Sequence, residues 1–147
     1  MFRIFLVLLA LAAIPQAHAA SRCQGDELTP RPLLPQLLPQ AEQAFGLSNA
    51  PSDWVQKTTV IRCMDGKIWA CNAGANLPCG KANTATRLPA GDDWCRQNPN
   101  ADFIPAYITG HDTAWRWRCL KGAPATIGPP ASIDAEGYLS AYWKPLN

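Results

Sequence analysis

The sequence predicts an α+β fold, mainly β: a small antiparallel sheet with one or two short helices, stapled by disulfides. Three observations predict it. Short β-prone runs bounded by turn signals recur along the chain, only two stretches suit a helix, and six cysteines follow an apolar leader of the kind that directs export.

The leader comes first. Met1 and Arg3 make a short positive start, Ile4 to Ile14 is almost purely apolar, and Ala17-His18-Ala19 places small residues where a signal peptidase reads them. Residues 1–19 therefore read as a signal peptide. The apolar run is about half the ~20 residues that a spanning helix needs, and Pro15 closes it. No later stretch has spanning length, so no membrane span is expected after cleavage, and the mature chain is expected to be periplasmic or secreted. Removal of the leader leaves 128 of the 147 residues, enough for one core. Arg3 is the leader's only charge, so 12 basic and 11 acidic groups remain. That balance excludes a nucleic-acid binder held by phosphate neutralisation, which needs a concentrated basic face.

An exported chain with an even number of cysteines reads as a disulfide framework, here Cys23, Cys63, Cys71, Cys79, Cys95 and Cys119. Metal binding is not expected. Seven residues separate Cys63 from Cys71 and Cys71 from Cys79, unlike paired zinc ligands, and the only mature histidine is His111. No CxxCH haem-attachment motif occurs, and no cofactor is expected.

Residues 20–51 form a Pro-rich arm. TPRPLLPQLLPQ, from Thr29 to Gln40, carries four prolines and favours extended geometry, whereas Ala41 to Phe45 suits a short helix that Gly46 stops. Leu37, Leu38 and Phe45 are the residues that would pack it on the domain. Residues 52–147 read as a disulfide-stabilised, β-rich domain. Thr58 to Arg62 and Lys67 to Cys71 flank Asp65-Gly66, a hairpin turn signal that pairs Met64 with Lys67, Cys63 with Ile68 and Val60 with Cys71. Period-two alternation then puts Cys63 and Cys71 on opposite faces, beyond disulfide reach. Three of the fifteen connectivities fall away and twelve remain. NAGANLPCGK, Asn72 to Lys81, has turn chemistry throughout, and a Cys71–Cys79 bridge would close it in a small ring.

Pro89 to Gln97 suits a short helix carrying Trp94 and Cys95. Phe103 to Thr109 reads as an edge strand interrupted by Pro105. Gly110-His111-Asp112 turns the chain into a strand from Thr113 to Cys119, with Trp115, Trp117 and Cys119 on one face and Ala114, Arg116 and Arg118 on the other. Beyond the Lys121-Gly122 turn, Pro124 and Pro129-Pro130 predict irregular chain, and Tyr138 to Trp143 reads as a closing strand.

No catalytic motif survives inspection. Gly74 and Gly80-Lys81 have one residue too many between the glycines for a phosphate loop, and Ala82 stands where that loop needs Ser or Thr. GxSxG, HExxH and the dinucleotide fingerprint are absent. His111 is the one mature side chain whose unperturbed pKa lies near neutrality, which makes it the weak candidate for a catalytic base beside a Ser or Thr nucleophile. Asp92, Asp93 and Asp102 read as helix-start or turn residues rather than a glycosidase pair. Six mature tryptophans supply large amphipathic area for a core or a recognition face. Trp115 and Trp117, with the forked donors Arg116 and Arg118 opposite them, are the candidate binding residues for an anionic partner.

RCMDGKIWACNAGANLPCGKANT, Arg62 to Thr84, resembles the signature of a group of small exported bacterial six-cysteine proteins of uncharacterised function. NPNADFIPAYITGH, WRCLKG and DAEGYLSAYWKPL extend the resemblance over most of the chain after Ser52. It implies no activity, cofactor or catalytic residue. A weaker likeness is to periplasmic lysozyme inhibitors, small disulfide-bonded β proteins with a cysteine-bearing strand and short turn like Cys63 to Gly66.

The function expected is that of a non-enzymatic binding module recognising a protein or a cell-envelope glycan. The alternatives are a periplasmic hydrolase using His111 and an inhibitor of a lytic enzyme.

Overall fold

The computed structural model describes residues 23, 27–74 and 77–146; the leader lies outside them. Two antiparallel sheets organise the chain. The first, in the order β1-β2-β3-β6, contains β1 (Arg31–Pro32), β2 (Thr59–Met64), β3 (Lys67–Asn72) and β6 (Lys144–Leu146). The second pairs β4 (Arg116–Leu120) with β5 (Ala123–Ile127). Among the described residues four short α-helices interrupt the strands: α1 (Leu38–Phe45) and α2 (Ser52–Thr58) between β1 and β2, and α3 (Asp92–Gln97) and α4 (Ala106–Thr109) between β3 and β4. The fold is the disulfide-stapled α+β class that the sequence predicts.

The β2–β3 hairpin turns at Asp65 (φ 52°) and Gly66 (φ 68°), the paired positive φ that a two-residue turn of matching twist requires. Its register pairs Met64 with Lys67, Cys63 with Ile68 and Val60 with Cys71, as the sequence predicts. One face of the sheet carries Ile61, Cys63, Ile68 and Ala70 into a core shared with Leu33, Leu37, Ala41 and Leu146. The Pro-rich segment thus contributes to this core: Leu37 is fully buried, and Leu38 and Phe45 pack against the cluster. Pro39 is tolerated at the start of α1, where its missing N–H has no partner to lose, and Gly46 (φ 67°) ends the helix in the left-handed conformation.

All six cysteines are paired. Cys23–Cys63 ties the arm to β2, Cys71–Cys79 closes the loop after β3, and Cys95–Cys119 joins α3 to β4. Cys63 and Cys71 face opposite sides of the hairpin and take different partners, which follows from the alternation.

Several local expectations are corrected. Phe103 to Thr109 is not an edge strand but ends in the single helical turn α4. Ile104 and Ile108 point inward while Phe103 and Tyr107 point outward, a four-residue spacing that belongs to a helix, and the Pro105 carbonyl accepts the Ile108 and Thr109 amides. The chain after Lys121-Gly122 is not irregular but forms β5. Pro124 is tolerated there because its partner Cys119 directs its amide away, to the Ala101 carbonyl at 2.8 Å.

Tyr138 to Trp143 is not a strand, since Tyr138 and Leu139 make only isolated bridges, to Lys81 and Ile133, and no continuous ladder. A 3-10 turn, Ser140–Tyr142, leads instead into β6. Ala114 is buried rather than aligned with the arginines, because β4 begins only at Arg116. The helix α2 has a readable signal, Asp53 and Lys57 at (i, i+4), that strand propensity at Thr58 obscures.

Candidate functional site

The α4–β4 turn decides where the candidate residues go. Gly110 stands at φ 81°, which favours glycine, and a Cβ there would lie 2.6 Å from Asp112 Oδ1, so that carboxylate would have to swing aside. This turn places His111 on the wall of a cleft of about 330 Å³. Arg116 and Trp117 reach the same cleft from the start of β4 and Trp115 from just before it, and Asp102 and Phe103 reach it from the segment before α4. Tyr142 and Ile127 complete the wall.

The indoles are fixed in place. Trp117 is buried, and its Nε1 donates to Thr113 Oγ1 at 3.0 Å; the Trp115 amide donates to the same oxygen at 3.2 Å. Trp115 Nε1 donates to the Thr84 carbonyl at 3.1 Å, which pins the ring. Phe103, 66% exposed, lines the opening, and Tyr107, 80% exposed, stands on α4 next to Ala106, which also lines it. Arg116 is exposed and, among the described residues, forms no salt bridge.

The sequence-predicted set is therefore only partly assembled. His111, Trp115, Arg116 and Trp117 meet at one cleft, whereas Arg118 is half-buried and does not line it. Trp117 faces the second core, with Cys95, Ile104 and Cys119, as well as the cleft. Asp102, read from sequence as a turn residue, lines the site too. Sequence reasoning did not single out Phe103, Thr113 and Tyr142. The TGH turn ahead of two tryptophans was the available signal for the cleft, but the partners from residues 102–103 and 142 come together only in the fold.

The cleft contains the ingredients of a hydrolase, a histidine with threonines and a carboxylate, but not their relay. Thr113 Oγ1 accepts two hydrogen bonds, from the Trp115 amide and the Trp117 indole, so both its lone pairs are committed to holding the start of β4. Thr109 Oγ1 donates to the Gly110 carbonyl at 3.0 Å. Among the described residues no hydrogen bond joins His111 to either hydroxyl or to Asp102. No cluster of His, Cys, Asp and Glu suited to a metal ion occurs among them either.

A second polar feature lies on the far face of the first sheet. Arg62, fully buried on β2, has its guanidinium between the rings of Tyr138, at 4.0 Å, and Trp143, at 3.8 Å. Its Nη2 donates to Asp134 Oδ2 at 2.6 Å. Partial burial pushes the Asp134 pKa up, but backbone amides of Tyr138 and Glu136, with the hydrogen bond and charge of Arg62, outweigh it and hold the carboxyl below its ordinary value. The arrangement clamps residues 134–143 over the sheet.

No helix among the described residues is long and apolar enough to cross a membrane. Comparison with family models, curated proteins and solved structures finds no match for this chain.

Proposed function

We propose that the chain is an exported, non-enzymatic binding module of the periplasm or the extracellular space, which takes a protein or glycan of the cell envelope at the Trp115–Arg116 cleft. Export is supported by the apolar leader and by the three disulfides, which persist in oxidising compartments. One observation carries the binding reading: a preformed cleft in which immobilised aromatic rings stand beside a guanidinium that has no salt-bridge partner among the described residues, the composition of a recognition site. The hydrolase reading needs a hydroxyl free to attack and a histidine bonded to it, and both cleft threonines are committed elsewhere.

The test is retention of the oxidised mature protein on immobilised sacculi and, separately, on immobilised envelope proteins. Retention of the wild type on one of the two is expected, falling at least ~10-fold in the Trp115→Ala, Arg116→Ala double variant as an aromatic contact and a charge-assisted hydrogen bond are lost, with no soluble product released. Product release that falls ~100-fold or more in His111→Ala would establish the hydrolase instead.

A further inference from the structure

We infer that the cleft recognises a compact saccharide bearing a carboxylate, an inference that rests on the binding-module reading and names its ligand class. The backbone around β4 leaves little room for an extended peptide. One edge of the strand pairs with β5, and on the other the Trp117 carbonyl accepts the Ile104 amide at 3.0 Å while the Cys119 amide donates to Ala101. Strand addition needs a free row of backbone donors and acceptors, and β4 has none to offer across these residues. Recognition therefore falls to side chains, and a volume of about 330 Å³ sits at the small end of the ~300 to 1,000 Å³ range of small-ligand clefts.

The side chains are those that a sugar ring requires. A pyranose presents a face of C–H groups and an equator of hydroxyls, so it packs flat on an aromatic ring while donors and acceptors around it take the hydroxyls. Trp115 supplies a ring that cannot swing away, because its indole N–H is bonded to Thr84, and Phe103 stands exposed at the opening. Asp102 is an acceptor for hydroxyl protons. Arg116 and His111 are both donors on the same cleft, and Arg116, without a salt-bridge partner among the described residues, offers a planar fork that matches a carboxylate. Neither Asp102 on the cleft wall nor Asp112 in the turn beside His111 lies within salt-bridge distance of Arg116, so the fork remains open to a ligand.

Two disaccharide probes with the same pair of rings separate the carboxylate from the ring: the disaccharide of N-acetylglucosamine and N-acetylmuramic acid, and chitobiose, which lacks the lactyl ether and its carboxylate. Titrations of the oxidised mature protein, followed by tryptophan fluorescence and calorimetry, should show the acidic disaccharide binding at least ~10-fold more tightly, the worth of one charge-assisted hydrogen bond. Arg116→Gln should erase that preference and keep the affinity for chitobiose, whereas Phe103→Ala should weaken both sugars alike with an unchanged melting temperature. Equal affinity for the two sugars in the wild type would overturn the carboxylate assignment. Binding of an acidic hexapeptide but of neither sugar would overturn the saccharide assignment while leaving the binding-module reading in place. Retention on immobilised envelope proteins with no binding of either sugar would do the same, and hydrolysis of the acidic disaccharide would overturn both.

Discussion

Arg62 and Asp134, 72 positions apart in the chain, form a 2.6 Å ion pair beneath the rings of Tyr138 and Trp143. A buried guanidinium without its carboxylate is costly, because desolvation has been incurred and the Coulombic return lost. The pair holds residues 134–143 on the face of the first sheet opposite α1, so its integrity decides whether that face stays covered.

Acid should weaken this clamp. The folded-state pKa of Asp134 is depressed, so the carboxylate contributes stability that is fully present above its unfolded value of ~3.9 and is lost as pH falls through the lower folded value. Melting temperatures of the wild type and Asp134→Asn should differ by a constant amount near neutrality, with a cost of roughly 3 kcal/mol for breaking the pair, and the gap should begin to narrow below about pH 4. A gap that persists unchanged at pH 2 would show that the carboxylate's charge contributes nothing.

The covalent framework predicts a mass and a ranking. Intact oxidised protein should show no alkylatable thiol, and its mass should fall short of the reduced form by two hydrogens per bridge. Loop-closure entropy grows with loop length, so removal of Cys23–Cys63, spanning 40 positions, should destabilise most, Cys95–Cys119, spanning 24, by about 3 kcal/mol, and Cys71–Cys79, spanning 8, least. Denaturant titrations of the three double-serine variants check the order.

Neighbouring positions on β4 should respond very differently. Trp117→Ala removes a buried indole and its bond to Thr113, at a cost of about 3 to 5 kcal/mol. Arg118→Ala removes a half-buried charge from outside the cleft and should stay within about 0.5 kcal/mol. Equal melting temperatures for the two would contradict the strand phase.

Gly110 is a third point of leverage. Gly110→Ala meets both a positive φ and the Asp112 carboxylate, so it should cost about 1 kcal/mol or more and shift the resonances of His111 and Trp115 together. Ala106→Gly, on the same wall but at an ordinary φ, should leave the Trp115 resonance in place.

The parts of the fold written in local chemistry were legible in the sequence. Asp65-Gly66 set the first hairpin and its register, Gly46 ended α1, and Cys71 with Cys79 closed their own loop. What escaped were elements whose reason lies at a distance. Tyr138 and Trp143 flank the 3-10 turn Ser140–Tyr142 and both cover Arg62, and nothing near them in sequence names that partner. Pro124 argues against a strand until the Cys119 amide is seen to bond elsewhere. The cleft was half legible: His111, Trp115, Arg116 and Trp117 are near neighbours in the chain, whereas Asp102, Phe103 and Tyr142 arrive through tertiary packing.

The cysteines pair in the order in which they occur, first with second, third with fourth and fifth with sixth, and no loop crosses another. If the chain leaves a translocation channel amino end first, Cys23, Cys71 and Cys95 each find their rightful mate as the next cysteine to emerge. Stepwise oxidation of nascent thiols yields the native set directly, with no mispaired bond to be reshuffled. Maturation then depends on a dithiol oxidant alone, and cells without disulfide isomerase should accumulate the protein as fully as cells that have it.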